Sequence, residues 1–247
     1  MLDGKTALVT GGSSGIGLAA ARLLQANGAR ICVTGTRQDK LDAAQAALGA
    51  GALAVCADVT SREDLQRLHR EIAAAFGALD ILFANAGVAY ATPIDSTDAA
   101  MFDRLMEVNV KGVFFTIQSM LPLMRTGGSI VLNTSWLNQV GTPGRSLLSA
   151  SKAAVRSFAR TLSAELLPRG IRVNAVSPGS IETPIHRSRF DSEDEYRAYA
   201  ATVGAQVPLG RMGRPEEIAS AVLFLAGEGS SYMLGAEILV DGGRAAL

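Results

Sequence analysis

Thr6-Ala7-Leu8-Val9-Thr10-Gly11-Gly12-Ser13-Ser14-Gly15-Ile16-Gly17 is the stretch on which the fold turns. Its first four residues form an apolar run that reads as a buried strand. Leu18 to Leu24, directly after it, read as a helix by composition and period. A strand that feeds a glycine-rich turn and then a helix makes an anion site. The glycines let the backbone approach a pyrophosphate, and the helix N-terminus offers free N–H groups and the positive end of its dipole. The spacing is G-x-x-x-G-x-G, not G-x-G-x-x-G. Taken alone, the turn fits a pyrophosphate or an unliganded glycine turn.

The pattern repeats outward from this turn. Further strands are expected at Arg30–Thr34, Ala52–Cys56, Leu79–Phe83, Ser129–Asn133, Ile171–Val176 and Glu237–Val240. Helices are expected at Leu41–Leu48, from Ser61 to Phe76, from Ala99 to Met124 with a break near Val108, at Ser149–Leu167, and from Pro215 to Ala226. Strands alternating with helices imply an α/β fold: one Rossmann-like, doubly wound parallel sheet of about seven strands with helices on both faces. The apolar strand runs suit burial on both sides. A single domain over residues 1–247 follows. Its least regular part, Glu182 to Met212, is polar and is expected to be a variable substrate loop.

Composition narrows the function. The chain has 23 basic and 23 acidic residues, so nucleic acid and anionic membranes are not expected partners. Hydrophobic residues make up 48% of the 247, enough for a large core, and no run is long enough to span a membrane. The N-terminus shows no secretory pattern. Cys32 and Cys56 lack metal-ligand spacing and read as buried free thiols, which with the rest points to a cytoplasmic protein. Neither histidine has partners at metal spacing, so no metal site is expected. Ser135 lacks the G-x-S-x-G context of a hydrolase nucleophile.

A series of short motifs then falls in order: Thr10 to Gly17, Asp58-Val59, Asn85-Ala86-Gly87, Asn109, Ser135, Ser149 to Val155 with Lys152, Pro178 to Thr183, and Asp241-Gly242-Gly243. In this order they resemble the short-chain dehydrogenase/reductase family over essentially the whole chain. The resemblance implies a nicotinamide dinucleotide and hydride transfer to or from a small carbonyl or alcohol substrate. It also implies roles. Gly11, Gly15 and Gly17 would hold the pyrophosphate, with Ser13, Ser14 and Ile16 in the same turn. Asp58 and Val59 would flank the adenine, and Asn85 and Gly87 would line the cofactor near its ribose. Pro178, Gly179, Ile181 and Thr183 would border the nicotinamide, and Lys152 would hydrogen-bond its ribose. Asn109, Ser135 and Lys152 match three catalytic positions of the family. A homotetramer is its usual assembly, here resting on the long helices that carry Phe102, Met106, Phe114, Phe115, Met120 and Met124, and on the C-terminal segment.

Two features refine these expectations. The second strand ends in Gly35, Thr36 and Arg37, where NAD-preferring relatives place an acid. The missing carboxylate and Arg37 favour NADP(H), with NAD(H) possible; the alternative is that Arg37 is a solvated charge at a helix start. The second feature is a departure. The family's tyrosine stands four residues before the lysine, where one helical turn brings both side chains to one face. Here that position is Leu148, thirteen residues after Ser135. Leucine cannot move a proton, and a positioned acid or base is worth about 10²–10⁴ in rate.

Four readings follow from Leu148. The chain is an oxidoreductase with a substitute donor: a water held by Ser135 and Lys152, or Tyr90 or Tyr196. Or it reduces imines, with Glu182 as a counter-ion. Or it is a cofactor-binding module without turnover. Or Leu148 is an engineered substitution in an ordinary enzyme. Trp136 is either a pocket wall or packing, and Asn138 and Gln139 either contact substrate or are solvated.

Overall fold

The computed structural model describes residues 2–247. Strands and helices alternate as β1 (Thr6–Val9), α1 (Gly15–Ala26), β2 (Arg30–Gly35), α2 (Gln38–Leu48), β3 (Leu53–Cys56), α3 (Arg62–Phe76), β4 (Leu79–Ala84), α4 (Ala99–Met106), α5 (Val113–Met120), β5 (Met124–Asn133), α6 (Ser146–Leu166), β6 (Arg172–Pro178), α7 (Pro184–Arg187), α8 (Glu193–Gly204), α9 (Pro215–Ala226) and β7 (Glu237–Val240). The strands form one seven-stranded sheet in the order β3-β2-β1-β4-β5-β6-β7. Every pairing is parallel. The chain winds outward from β1 through β2 to β3, then returns to β4 on the other side of β1. This reversal opens a crevice at the carboxyl ends of β1 and β4, where ligands bind in open α/β sheets.

The period of two along each strand divides the core between two faces. Leu8, Leu82 and Ile130 point to one side and pack with Leu68 of α3, Ile117 of α5 and Val155 of α6. Ala7, Val9, Phe83 and Val131 point to the other and meet Leu24 of α1, Leu41 of α2 and Val222 of α9. Both layers are dry, so the strands read as apolar runs rather than alternating patterns.

Local chemistry sets the boundaries. Ser61 caps α3, its hydroxyl accepting from the Asp64 amide at 3.2 Å, as expected from the sequence. The long helical region is interrupted where a break is expected, by a π-helical turn over Glu107–Gly112. It ends earlier than expected, because Met124 already pairs with Leu79 as the first residue of β5. The segment from Glu182 to Met212 is not wholly irregular: it contains α8, whose start is capped by Ser192 and carries Glu193, Asp194 and Glu195 in its first turn. Cys32 is buried, but Cys56 is exposed, which corrects the expectation of two buried thiols. Cys56 sits at the end of β3, an edge strand with one side open. No helix among the described residues is long and apolar enough to cross a membrane.

Candidate active site

A cavity of about 590 Å³ opens over the carboxyl ends of the strands. Its floor is the glycine turn. Gly11 and Gly15 hold φ values of +61° and +52°, a region that disfavours other residues. A Cβ on Gly17 would lie 2.2 Å from the Gly11 carbonyl oxygen, and one on Gly11 would lie 3.0 Å from the Ala86 Cα. Ser14 is the N-cap of α1 but places no side-chain oxygen on the first-turn amides. Those amides remain available to an anion. Gly11, Ser13, Ser14, Gly15, Ile16 and Gly17 all line the cavity.

Thr34, Gly35, Thr36, Asp58, Val59 and Arg104 line the end of the cavity nearest β2 and β3. Asp58 Oδ1 accepts from the Thr60 amide and hydroxyl, both at 2.8 Å. Its second oxygen lies 4.0 Å from the Arg104 guanidinium. Arg37 is not part of the cavity lining. It forms an exposed two-point pair with Asp39, at 3.1 and 2.5 Å. Asn85 and Gly87 do line the cavity. The Asn85 amide is spent on the Thr10 and Gly11 carbonyls, at 3.0 and 3.2 Å, so it stitches the glycine turn to the end of β4.

The opposite wall comes from β5, the turn after it, and α6. Ser135, Leu148 and Lys152 line it together, with Asn133 and Trp136. Lys152 Nζ donates to the Asn133 carbonyl at 2.8 Å, and burial lowers its pKa from 10.5 to about 8. Asn133 Nδ2 donates to Asn85 Oδ1 at 2.8 Å, while the Asn133 Oδ1 is buried without a partner. Leu148 stands one helical turn before Lys152 and packs with Leu105 and Leu137 as a small apolar cluster. Pro178, Gly179, Ile181 and Thr183 close the cavity beyond β6. Ile181 is held by a bridge to Gly213, and Gly179 lets the backbone pass Asp241.

Several residues singled out from the sequence lie outside the cavity lining. Asn109 is 1% exposed and does not line the cavity. From the π-helical turn it clamps Val88, accepting from its amide at 2.8 Å and donating to its carbonyl at 3.0 Å; it also donates to Ser151 Oγ at 3.2 Å. It supports the wall from behind. Asn138 and Gln139 do not line the cavity either, since both donate to the buried Glu237 carboxylate, at 2.7 and 3.0 Å. Tyr90 donates its hydroxyl to the Met101 carbonyl at 2.8 Å, and burial raises its pKa. Tyr90, Tyr196 and Glu182 all lie outside the lining. Sequence reasoning missed Arg145, Arg244, Tyr199 and Gln206, all of which line the cavity. The only signals were the place of Arg145 at the start of α6 and of Arg244 directly after Asp241-Gly242-Gly243. Among the described residues, no group of three or more His, Cys, Asp or Glu could hold a metal ion.

The lining suits a dinucleotide: a glycine turn packed so closely on its own backbone that it admits no Cβ at Gly17, an uncapped helix N-terminus, and an unpartnered carboxamide oxygen at Asn133. A family model described as enoyl-(acyl carrier protein) reductase matches residues 11–245. The chain belongs to the short-chain dehydrogenase/reductase family. It is 45% identical to oxidoreductase asL5 of Sarocladium schorii over 99% of this chain and 97% of that one. It is 40% identical to the cis-4-hydroxycyclohexanecarboxylate dehydrogenase of Sinomonas cyclohexanicum over 98% and 97% of the two chains. Among solved structures it resembles a Serratia marcescens short-chain dehydrogenase/reductase variant with a TM-score of 0.90, at 34% identity over 99% of both chains. The family binds nicotinamide cofactors and small-molecule substrates, and the seven-stranded doubly wound sheet is its fold.

Proposed function

We propose that the chain is an oxidoreductase that prefers NADP(H), accepts NAD(H), and interconverts a small carbonyl compound and its alcohol in this cavity. The observation that carries the reading is that Ser135, Leu148 and Lys152 line the same cavity as the glycine turn. A nicotinamide supplies or removes the hydride when bound. Gly11, Gly15 and Gly17 with the α1 amides hold the pyrophosphate. Asp58 and Val59 take the adenine, Ile181 and Thr183 the carboxamide, and Lys152 the nicotinamide ribose. Gly35 leaves space without a carboxylate at the adenosine ribose. Arg37 turns from the exposed Asp39 pair to a 2′-phosphate, a small rearrangement because such pairs contribute little.

Reduction leaves an alkoxide that must be protonated. The Ser135 oxygen accepts from the Leu137 amide at 3.3 Å, so its own hydrogen is free for the substrate oxygen. Lys152, lowered to about 8, is an acid close to neutrality. A water between Ser135 and Lys152 carries the proton that the family's tyrosine would give at the Leu148 position. The route is slower than a direct phenol, so activity is reduced by Leu148. The segment 182–212 shapes the substrate end: Ile185, Tyr199, Val203 and Gln206 all line the cavity. The protein works in the cytoplasm as a homotetramer, joined through exposed apolar side chains that include Phe114 and Phe224.

The test is stopped-flow consumption of NADPH and NADH with a panel of ketones, aldehydes and cyclic imines. Slow ketone turnover supports the reading. Turnover of imines alone removes it in favour of the iminium reading, which the cavity disfavours because Glu182 lies outside it and its substrate end is lined by arginines. Tight binding of cofactor with no turnover favours a binding module, and rapid ketone turnover rules out the loss assigned to Leu148.

A further inference from the structure

Arg145 and Arg244 line the cavity, and among the described residues neither has a carboxylate at ion-pair distance. We propose that Arg244 and Arg145 receive a carboxylate on the substrate, so that the protein acts on carbonyl or alcohol compounds that carry an acidic group. The inference rests on the reading of this cavity as the substrate site and names the class of substrate.

The turn after β7 places Arg244. Asp241 accepts from the Gly243 amide at 2.9 Å and from the Ala245 amide at 2.7 Å. Gly242 and Gly243 take φ values of +68° and +90°, and Arg244 after them lines the cavity. The Arg244 guanidinium then lies 4.4 Å from the centre of the Trp136 ring. It donates to Ser180 Oγ at 2.6 Å and to Gln206 Oε1 at 2.7 Å. Both acceptors are neutral. Among the described residues Arg244 has no carboxylate at ion-pair distance, and neither has Arg145.

Burial, and then the charge of Arg145, work to lower the Arg244 pKa, with Tyr199 and Asp241 opposing. Both guanidinium groups line the same cavity. Asp241 is already held by two backbone amides. The one carboxylate in the lining, Asp58, follows β3, four strands away from β5 in the sheet. A half-buried guanidinium without an anion is costly, and a planar fork held on an aromatic face is pre-organised for a carboxylate. The same wall repels a cationic substrate.

Trp136 is the chain's single tryptophan, so its fluorescence reports on this wall without any turnover. The protein saturated with NADP⁺ would be titrated with pyruvate, levulinate and 5-oxohexanoate, each beside its methyl ester. At least one oxo acid is expected to bind about tenfold tighter than its ester, the scale of a charge-assisted hydrogen bond. Arg244→Gln should abolish that preference and Arg145→Gln should reduce it, the acids losing more affinity than the esters in each variant. If Arg244→Gln does not fold, Arg145→Gln, on a different element, carries the test. Equal binding of acid and ester, no binding of any oxo acid, or a preference that survives both substitutions would overturn the proposal. With NADPH in place of NADP⁺ the same compounds are followed for cofactor oxidation: a binding preference with no NADPH oxidation would sink the catalytic reading alone, and oxidation of NADPH by esters without any binding preference would sink this inference alone.

Discussion

Lys152 donates to the carbonyl oxygen of Asn133 at 2.8 Å, which ties the middle of the cavity wall on α6 to the last residue of β5. The contact uses one of three ammonium donors and does not offset the cost of burial, so the Lys152 pKa falls to about 8. Between pH 8 and 10.5 the unfolded chain binds more protons at this residue than the folded chain, so its contribution to stability rises with pH through that window. Below pH 8 the full penalty applies. Lys152→Met should therefore be more stable than the parent at pH 7, with an advantage that shrinks toward pH 10. Urea midpoints of both proteins without cofactor across that range test this; a constant difference would contradict it.

Leu148→Tyr places a phenol one turn from Lys152. Ketone reduction should rise by about 10²–10⁴, measured as single-turnover NADPH oxidation. Cofactor affinity should stay within a few-fold, because Leu148 packs on Leu105 and Leu137 rather than on the glycine turn. Unchanged turnover would mean that the proton already travels by a route as good as the phenol.

Arg37 and Asp39 are more than half exposed and hold each other by a two-point pair. Releasing the guanidinium with Asp39→Asn should tighten NADPH binding a few-fold. Arg37→Ala should weaken it about tenfold, and NADH should hardly respond to either. Calorimetric titration of both cofactors measures the difference. Equal responses by the two cofactors would remove the role given to Arg37.

Glu237 gathers the turn that follows Ser135. It accepts from Thr134 Oγ1 at 2.6 Å, Asn138 at 2.7 Å and Gln139 at 3.0 Å, and pairs with Arg156 at 3.3 Å. The side chains of this pair are 17% and 8% exposed, so Glu237→Ala leaves a buried guanidinium unpaired. A loss of about 3–5 kcal/mol in chemical unfolding is expected, with a fall in kcat as Ser135 loses its support. Glu237→Gln should retain more of both.

Phe114 is 37% exposed on α5, its ring 5.7 Å from that of Phe158. An exposed ring on α5 backed by the partly buried Phe158 of α6 suits a subunit contact. Phe114→Glu should lower the assembly from tetramer to a smaller species in light scattering, with the far-ultraviolet circular dichroism retained. A parent protein that is already monomeric would refute the assembly.

The sequence alone determined the sheet. Buried strand stretches such as residues 7–9 and 81–84 are apolar on both faces, and glycine at 11, 15 and 17 is required where the backbone closes on itself, so both leave marks in the residue order. Ser61 announced a helix start because its cap contact is local. The absence of an acid at Gly35 and of a tyrosine before Lys152 was equally plain. Tertiary structure decided the rest. Whether Asn109 faces the cavity or clamps Val88 depends on a π-helical turn, and whether Asn138 and Gln139 meet substrate depends on Glu237, about a hundred residues away. Arg145 and Arg244 line one cavity only because the start of α6 and the turn after β7 both border it. Patterns of period and spacing record contacts within an element or a turn; contacts between distant side chains are set by packing, which no local pattern encodes.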